Sequence, residues 1–286
     1  MALAPVPRPP RLPRVHLRHA ALAAFCVAGV LFIIAPLAIV VLNSFSSTAY
    51  NIFPPEGYSL RWYENLAAQH AFYAAAVHSV VLATLAAIIA LVIGTTAAYA
   101  LVKYTLPARD LTKAFFLAPV VMPHIVLGVA LFIFFIRLGV IYSYSSLLLT
   151  HVLVVTPFVI AIASASFANF DWTTEEAAMD LGAGPVETFV RVVLPQIRTG
   201  LVISGLFAWI VSFDQVETTL FLVRPGDSTL PIEMFLYLQK WQDPTIAALS
   251  AVLIAFAALM VVALSVVVGG ERTPTEIVRQ EEEETR

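Results

Sequence analysis

The sequence predicts an all-α integral membrane protein with six transmembrane helices. The 286 residues are 60% hydrophobic and only 12% charged, with a mean hydropathy of +0.87. Soluble domains average roughly 25% charged residues, so this chain is too apolar for an aqueous protein. Six apolar runs are each long enough to cross a hydrocarbon core of about 30 Å. Because lipid cannot bond to peptide groups, each run is expected to be a helix.

The six predicted spans are separated by polar connections. They cover residues 20–43, 72–102, 114–136, 145–168, 197–222 and 246–268. Arginines precede the first run, as they do in a signal peptide. That run is about 23 residues long, whereas the apolar part of a signal peptide has roughly 7–15 residues. The first run is therefore predicted to be a retained membrane helix.

The distribution of lysine and arginine predicts the orientation. With a cytoplasmic N-terminus, 12 of the 16 basic residues fall on the cytoplasmic side and 4 on the other. Those four are Arg61, Arg137, Arg224 and Lys240. Since cytoplasmic loops are enriched in these residues, both termini and the connection between the fourth and fifth spans are predicted to be cytoplasmic.

The spans divide the chain into four predicted regions. Residues 1–19 form a disordered cytoplasmic arm, because they are rich in proline. Residues 20–71 hold the first helix and an extracytoplasmic loop, and residues 72–268 form a core of five helices. Residues 269–286 form an acidic cytoplasmic tail.

The longest polar interruption is the connection over residues 171–195. Thr173 is predicted to cap a short helix, with Glu176 three residues later closing a capping box. Gly182 suits the left-handed turn that ends a helix, and Pro185 suits the first turn of the next one. This pattern predicts two short helices joined by a turn, shaped to contact another protein. The alternative is an ordinary amphipathic connector.

A family motif lies in the same connection. Its elements are Glu176, Ala177 and Ala178, then Gly182, then Leu194 and Pro195. This spacing resembles the EAA loop in the membrane subunits of binding-protein-dependent ABC importers, although Val192 stands where isoleucine is commoner. The resemblance covers about residues 72–268 and implies a type I importer permease fold. It also implies that the motif residues, together with Asp180, form a coupling helix that docks on an ATPase.

The resemblance implies partners rather than catalysis. We expect an ABC ATPase dimer, a second permease subunit in a heterodimer, and an extracytoplasmic solute-binding protein, all at a bacterial inner membrane with its lipid around the helices. The chain has no G-x-x-x-x-G-K-[ST] phosphate loop, so ATP hydrolysis is expected in the partner and the chain is not expected to be an enzyme. No cofactor, metal site or nucleic-acid partner is predicted.

Other segments resemble permeases of the spermidine/putrescine type. They are Val211–Asp214, Leu220–Leu222 and Thr229–Ile232. The resemblance implies that the chain forms half of a passage for a small cationic solute such as putrescine or spermidine. The alternatives are another small organic solute, such as an amino-acid derivative, and an ion-coupled secondary transporter.

Two acids, Asp214 and Glu217, fall within the fifth predicted span. A charge at bilayer depth costs roughly 2.5–3.5 kcal/mol on insertion scales, so both are expected to face a cavity or another subunit. Residues three apart on a helix share one face, and Trp209 and Phe213 are close in sequence. This set would attract a cation through charge and cation–π contact. The alternative is that the acids pair with cations of the sister subunit.

Two histidines lie within predicted spans. His124 follows Pro123 in the third span. The polyamine-type permeases that this sequence resembles often have an acidic residue at this place. It is either a packing residue or part of the solute passage. For His151 in the fourth span, a packing role is the expectation.

Overall fold

The computed structural model describes residues 14–105, 108–224 and 226–269. Most of the predicted N-terminal arm and almost all of the predicted acidic tail lie outside these ranges. The first helix begins at Arg14, earlier than the predicted start at residue 20.

The described chain is almost entirely helical, apart from an isolated β-bridge between Ser46 and Tyr58. The helices are α1 (Arg14–Ser44), α2 (Arg61–Ala68), α3 (His70–Lys103), α4 (Arg109–Val121), α5 (His124–Arg137), α6 (Tyr144–Ala168), α7 (Trp172–Asp180), α8 (Pro185–Thr188), α9 (Leu194–Gln196), α10 (Arg198–Phe213), α11 (Thr219–Leu222), α12 (Leu230–Lys240) and α13 (Thr245–Gly269). A π-helical segment, Phe189–Val193, joins α8 to α9.

Among the described residues, four helices are long and apolar enough to cross a membrane: α1, α3, α6 and α13. Two bent pairs also qualify when each pair is counted as one span. Residues 110–121 and 124–137 meet at 99°, and residues 185–196 and 198–213 meet at 79°. The all-α membrane fold is therefore confirmed, and six spans result when each bent pair counts once.

The span predicted over residues 114–136 is formed by two helices, α4 and α5, that meet at a sharp bend. The chain breaks at Met122, which has an extended backbone (φ −75°, ψ 137°), and α5 begins directly after Pro123. A residue before proline is pushed out of the helical region, and proline has no N–H for a helical hydrogen bond. The break therefore follows from Pro123.

The predicted helix over residues 197–222 is also interrupted. α10 ends at Phe213, α11 begins at Thr219, and residues 214–218 are not helical. The expectation that Asp214 and Glu217 share one helix face is therefore wrong. Aspartate favours turns and caps over helix interiors, and Asp214 is the residue that ends α10.

The chain divides into two compact units. The first holds described residues 14–68 and 242–266, and the second holds residues 69–241 with 267–269. In the first unit, the indole of Trp62 donates to the Ser46 carbonyl at 2.8 Å. Asn65 Nδ2 donates to Thr245 Oγ1 at 2.8 Å. These two bonds connect α2 to the preceding loop and to the start of α13.

The second unit is built on α3, α6 and α10, which pack against one another. Small buried residues recur along α3 at helical spacing, which lets neighbouring helices approach closely. They are Ala83, Ala86, Ala87, Ala90, Gly94 and Ala98. A Cβ atom at Gly94 would lie 2.7 Å from Cγ1 of Val159 on α6, so residue 94 has no room for a side chain.

Replacement of Gly94 by valine is expected to destabilise the core by about 1–3 kcal/mol, because overpacking forces neighbouring atoms to move. Thermal unfolding of the purified permease in detergent measures the effect as a lower melting temperature. Gly29→Val is the matched control, since no atom of the described residues lies within 4 Å of a Cβ atom at Gly29 on α1. Equal melting temperatures for the two variants would contradict the close approach of α3 and α6.

Candidate coupling loop and solute passage

The connector between α6 and α10 begins with a helix cap two residues earlier than predicted. The Asp171 carboxylate accepts hydrogen bonds from the Thr173 backbone N at 3.0 Å and from Thr173 Oγ1 at 2.8 Å. Thr173 lies inside α7, so the predicted capping box from Thr173 to Glu176 is wrong. A carboxylate is a strong N-cap and also places negative charge at the positive end of the helix.

The turn after α7 has the predicted backbone. Gly182 has a φ of +95°, a conformation that glycine adopts without steric cost. Its N–H donates to the Met179 carbonyl at 2.9 Å, so it closes the end of the helix. Pro185 is the first residue of α8, as expected.

The second half of the connector is helical up to Gln196. Phe189–Val193 is π-helical, and the Leu194 N–H bonds to the Phe189 carbonyl. The chain bends at Ile197 (φ −100°, ψ 8°), where α10 begins. Pro195 lacks the N–H that would continue the preceding turn, so the bend follows it by two residues.

Most residues of the EAA motif lie at the surface of the connector. Glu176, Ala177, Asp180, Gly182 and Pro195 are exposed, whereas Ala178 and Leu194 are partly buried. Two apolar neighbours are more exposed than is usual for their type: Leu181 is 90% exposed and Val186 is 77% exposed. Exposed apolar groups beside charged ones are typical of a surface that contacts another protein.

A buried acid outside the predicted set, Glu175, attaches the connector to α3. Its side chain is only 3% exposed and accepts a hydrogen bond from Lys103 Nζ at 2.8 Å. The Tyr99 hydroxyl donates to the same carboxylate oxygen at 2.5 Å and itself accepts from Lys103 Nζ at 2.7 Å. A buried charge is tolerable only when it is paired and hydrogen-bonded in this way.

Aromatic rings surround this ion pair. The Tyr99 ring centroid lies 5.6 Å from that of Phe167, 5.9 Å from that of Trp172 and 4.9 Å from that of Phe189. Trp172 and Phe189 belong to the connector, whereas Tyr99 belongs to α3. The contact between connector and α3 is therefore both charged and closely packed.

Asp214 and Glu217 lie in the break between α10 and α11, and both are exposed. Glu217 Oε2 lies 3.6 Å from His124 Nδ1 at the start of α5. The structure thus brings together two of the predicted passage residues from distant parts of the sequence. The contact becomes an ion pair when His124 is protonated.

A glycine allows α5 to approach this break. A Cβ atom at Gly128 would lie 3.1 Å from Thr218 Cα and 3.2 Å from the Glu217 carbonyl oxygen. Any larger residue would therefore push α5 away from the backbone that carries Glu217.

Trp209 and Phe213 stack on each other in the last turns of α10. Their ring centroids are 5.1 Å apart and their planes differ by 17°. Trp209 Nε1 donates to Thr84 Oγ1 of α3 at 3.1 Å, which fixes the indole. Both rings are partly buried, and Phe213 directly precedes Asp214 in the chain. Among the described residues, no group of three or more His, Cys, Asp or Glu side chains has metal-site geometry.

Individual proteins resemble this sequence, although no family model matches it. The spermidine/putrescine transport system permease protein PotC of Haemophilus influenzae is 31% identical over 249 residues, covering 87% of this chain and 95% of the relative. The putrescine transport system permease protein PotI of Escherichia coli K12 is 32% identical over 233 residues, covering 79% and 83%.

A solved structure shares the fold. It is a bacterial ABC transporter involved in the import of the acidic polysaccharide alginate. Its chain superposes with a TM-score of 0.68 at 15% identity, covering 92% of this chain and 100% of that chain. At this identity the likeness concerns the fold alone.

The helical fold and these relatives define a membrane-spanning subunit of an ABC importer. The chain belongs to the family of ABC transporter permease proteins that includes the spermidine/putrescine permeases. It is a multi-pass inner-membrane protein and not itself an enzyme. ABC importer permeases work with an ATPase and a solute-binding protein. The predicted family is thereby confirmed.

Proposed function

We propose that the chain forms half of the passage for a small polycation such as putrescine or spermidine. The observation that carries this proposal is the pair of exposed carboxylates, Asp214 and Glu217, at a break in an otherwise apolar helix. Ammonium groups bind carboxylates through charge-assisted hydrogen bonds. The stacked rings of Trp209 and Phe213 would add a cation–π surface at the end of α10, which Asp214 follows in the chain. The two relatives are named as transport system permeases for spermidine/putrescine and for putrescine, which points to the same class of solute.

The connector over residues 171–195 is proposed to couple this passage to an ATPase dimer. Its exposed face would bind the ATPase, on the cytoplasmic side where both termini also lie. Because Glu175 bonds to Lys103 of α3, a movement of the connector would be transmitted to α3. α3 packs on α6 and α10, and α10 leads into the break. A sister permease would supply the other half of the passage, and an extracytoplasmic binding protein would deliver the solute.

The contact between His124 and Glu217 also fits a second candidate solute, an amino-acid derivative with a single ammonium group. His124 lies 3.6 Å from Glu217. A protonated imidazole at this place would neutralise one carboxylate and leave Asp214 as the main cation partner. A neutral imidazole would leave both carboxylates available to a diamine.

The test is uptake by the complete importer reconstituted in vesicles, with radiolabelled putrescine and spermidine as solutes. Asp214→Asn and Glu217→Gln are each expected to raise the KM for uptake by about tenfold, equivalent to about 1.4 kcal/mol of lost interaction. Both replacements keep the shape of the side chain and remove only its charge. Glu56→Gln, an exposed acid in the loop between α1 and α2, is the matched control and should behave like the native chain.

Normal uptake of both polyamines by Asp214→Asn and by Glu217→Gln would refute the cation passage. Uptake of a mono-ammonium amino-acid derivative in preference to both polyamines would instead support the second candidate.

A further inference from the structure

The five-residue break at 214–218 has no proline or glycine to account for it. A fully buried histidine on the neighbouring helix α6, His151, is only 1% exposed. A buried imidazole without hydrogen-bond partners would be costly. The hydrogen-bond partners of the His151 ring therefore indicate which parts of the structure this side chain holds in place.

Both ring nitrogens of His151 are hydrogen-bonded, one to each side of the break. Nδ1 lies 2.8 Å from Ser212 Oγ, which precedes the break, and Nε2 lies 3.1 Å from Thr219 Oγ1, which follows it. Thr219 Oγ1 in turn donates to the Gln215 carbonyl at 2.7 Å. Ser212 and Thr219 are 2% and 0% exposed, so water does not compete for these bonds. His151 thus spans the break and fixes the distance between its ends.

The buried bonds continue from the ends of the break to one of the carboxylates. Gln215 is 4% exposed, and its Nε2 donates to Thr218 Oγ1 at 3.0 Å and to Glu217 Oε2 at 3.4 Å. Asp214 is the first residue of the break, directly after α10. The backbone that carries both acids is therefore held by one network of buried polar side chains.

We infer that His151 is a positioning residue that sets the separation of the Asp214 and Glu217 carboxylates and thereby the preferred spacing between ammonium groups of the solute. This inference rests on the proposed function of the two acids as the cation site. Two fixed negative charges bind two positive charges best when the spacings match, since a rigid site has little reorganisation to undergo. His151 itself does not touch the solute.

The test compares putrescine and spermidine uptake by the reconstituted importer. Ser212→Ala and Thr219→Val each remove one hydroxyl with little change in volume, and His151→Leu removes both contacts. Each single hydroxyl removal is expected to change the ratio of the two KM values by about two- to tenfold, the range for one net hydrogen bond. Thr150→Val is the matched control. Thr150 is fully buried and adjacent to His151 in the chain, but within the described part of the chain its hydroxyl bonds only to the Ser146 carbonyl of its own helix.

A second readout follows the geometry without any solute. In a Cys26→Ser background, the labelling rate of Glu217→Cys by a thiol reagent is measured with and without Thr219→Val. Loss of the hydrogen bond between His151 and Thr219 is expected to change the labelling rate by about two- to tenfold, again the range for one net hydrogen bond. Thr150→Val should leave the labelling rate unchanged. His151→Asn should restore part of the native KM ratio relative to His151→Leu, since its amide can still reach Ser212.

The two ideas can fail separately. If Asp214→Asn and Glu217→Gln leave uptake unchanged, the proposed cation site fails, and the labelling rate alone then decides whether His151 positions the break. If those two variants impair uptake while Ser212→Ala and Thr219→Val alter neither the KM ratio nor the labelling rate, the positioning role is wrong. Should His151→Leu fail to fold, the two hydroxyl variants still decide.

Discussion

Replacement of Lys103 by methionine is expected to destabilise the permease by about 3–5 kcal/mol, the cost of leaving one member of a buried ion pair unpaired. Among the described residues, the Glu175 carboxylate, 3% exposed, would retain only the Tyr99 hydroxyl as a partner. Aromatic rings pack around Tyr99, so little water can reach the Glu175 carboxylate to which Tyr99 is bonded. Coupled uptake should fall with stability, because the connector would lose its charged attachment to α3. Thermal unfolding measures the loss of stability, and ATP-driven solute uptake by the complete importer in vesicles measures the loss of transport.

The comparison with Glu175 variants makes this prediction specific. Glu175→Gln should cost less, because the Lys103 side chain is 23% exposed and can turn its ammonium group toward water. The double variant Lys103→Met/Glu175→Leu should recover most of the lost stability, since apolar replacement of both charges is often neutral. If the double variant is as unstable as Lys103→Met alone, the loss does not come from an unpaired charge.

Replacement of Leu181 by aspartate is expected to weaken binding of the ATPase by about 10- to 150-fold. Full burial of a leucine side chain is worth about 1.5–3 kcal/mol, and each 1.4 kcal/mol is a factor of about ten. Leu181 is 90% exposed at the end of α7, so this burial is available to a partner. The permease itself should fold normally, because exposed substitutions change stability little. Binding of purified ATPase to the permease pair in detergent measures the effect.

Leu60→Asp is the control for Leu181→Asp. Leu60 is 61% exposed in the loop before α2, so the same chemical change is made outside the connector. It should leave ATPase binding at the native level. If Leu181→Asp binds the ATPase as tightly as the native chain, the end of α7 is not part of the docking surface.

Apolar length alone predicted the uninterrupted helices. α3, α6 and α13 begin and end within a few residues of the predicted spans, because a long apolar run has few alternatives in lipid. The same measure fails at Met122, since hydropathy records apolar content and not the hydrogen bonds that Pro123 removes. The break after Phe213 had only a weak local signal, the turn preference of Asp214. The buried side chain that spans this break, His151, lies on α6 and is far away in sequence.

The structure of the connector was predictable at positions where the backbone conformation strongly favours one residue type. Gly182 and Pro185 occupy the expected turn and helix start. The cap at Asp171 was not predicted, because Thr173 is also a residue type that caps helices. The burial of Glu175 was not predicted either, because the sequence does not show which of the adjacent acids Glu175 and Glu176 faces α3. The four-residue spacing of Tyr99 and Lys103 was a usable signal, since it places both on one face of α3. It did not reveal which acid they meet.

The right-angled break between α4 and α5 bears on how the protein is assembled during synthesis. Helices of 13 and 14 residues are about 20 Å long, so neither crosses the hydrocarbon layer alone. Unpaired peptide groups at such a corner are tolerated only when protein covers them. α4 packs on α6, and α5 packs on α11, and both partners are translated later. α4 and α5 therefore cannot complete their packing until α6 and α11 have been synthesised. The order in which helices are translated is thus not the order in which they reach their final packing.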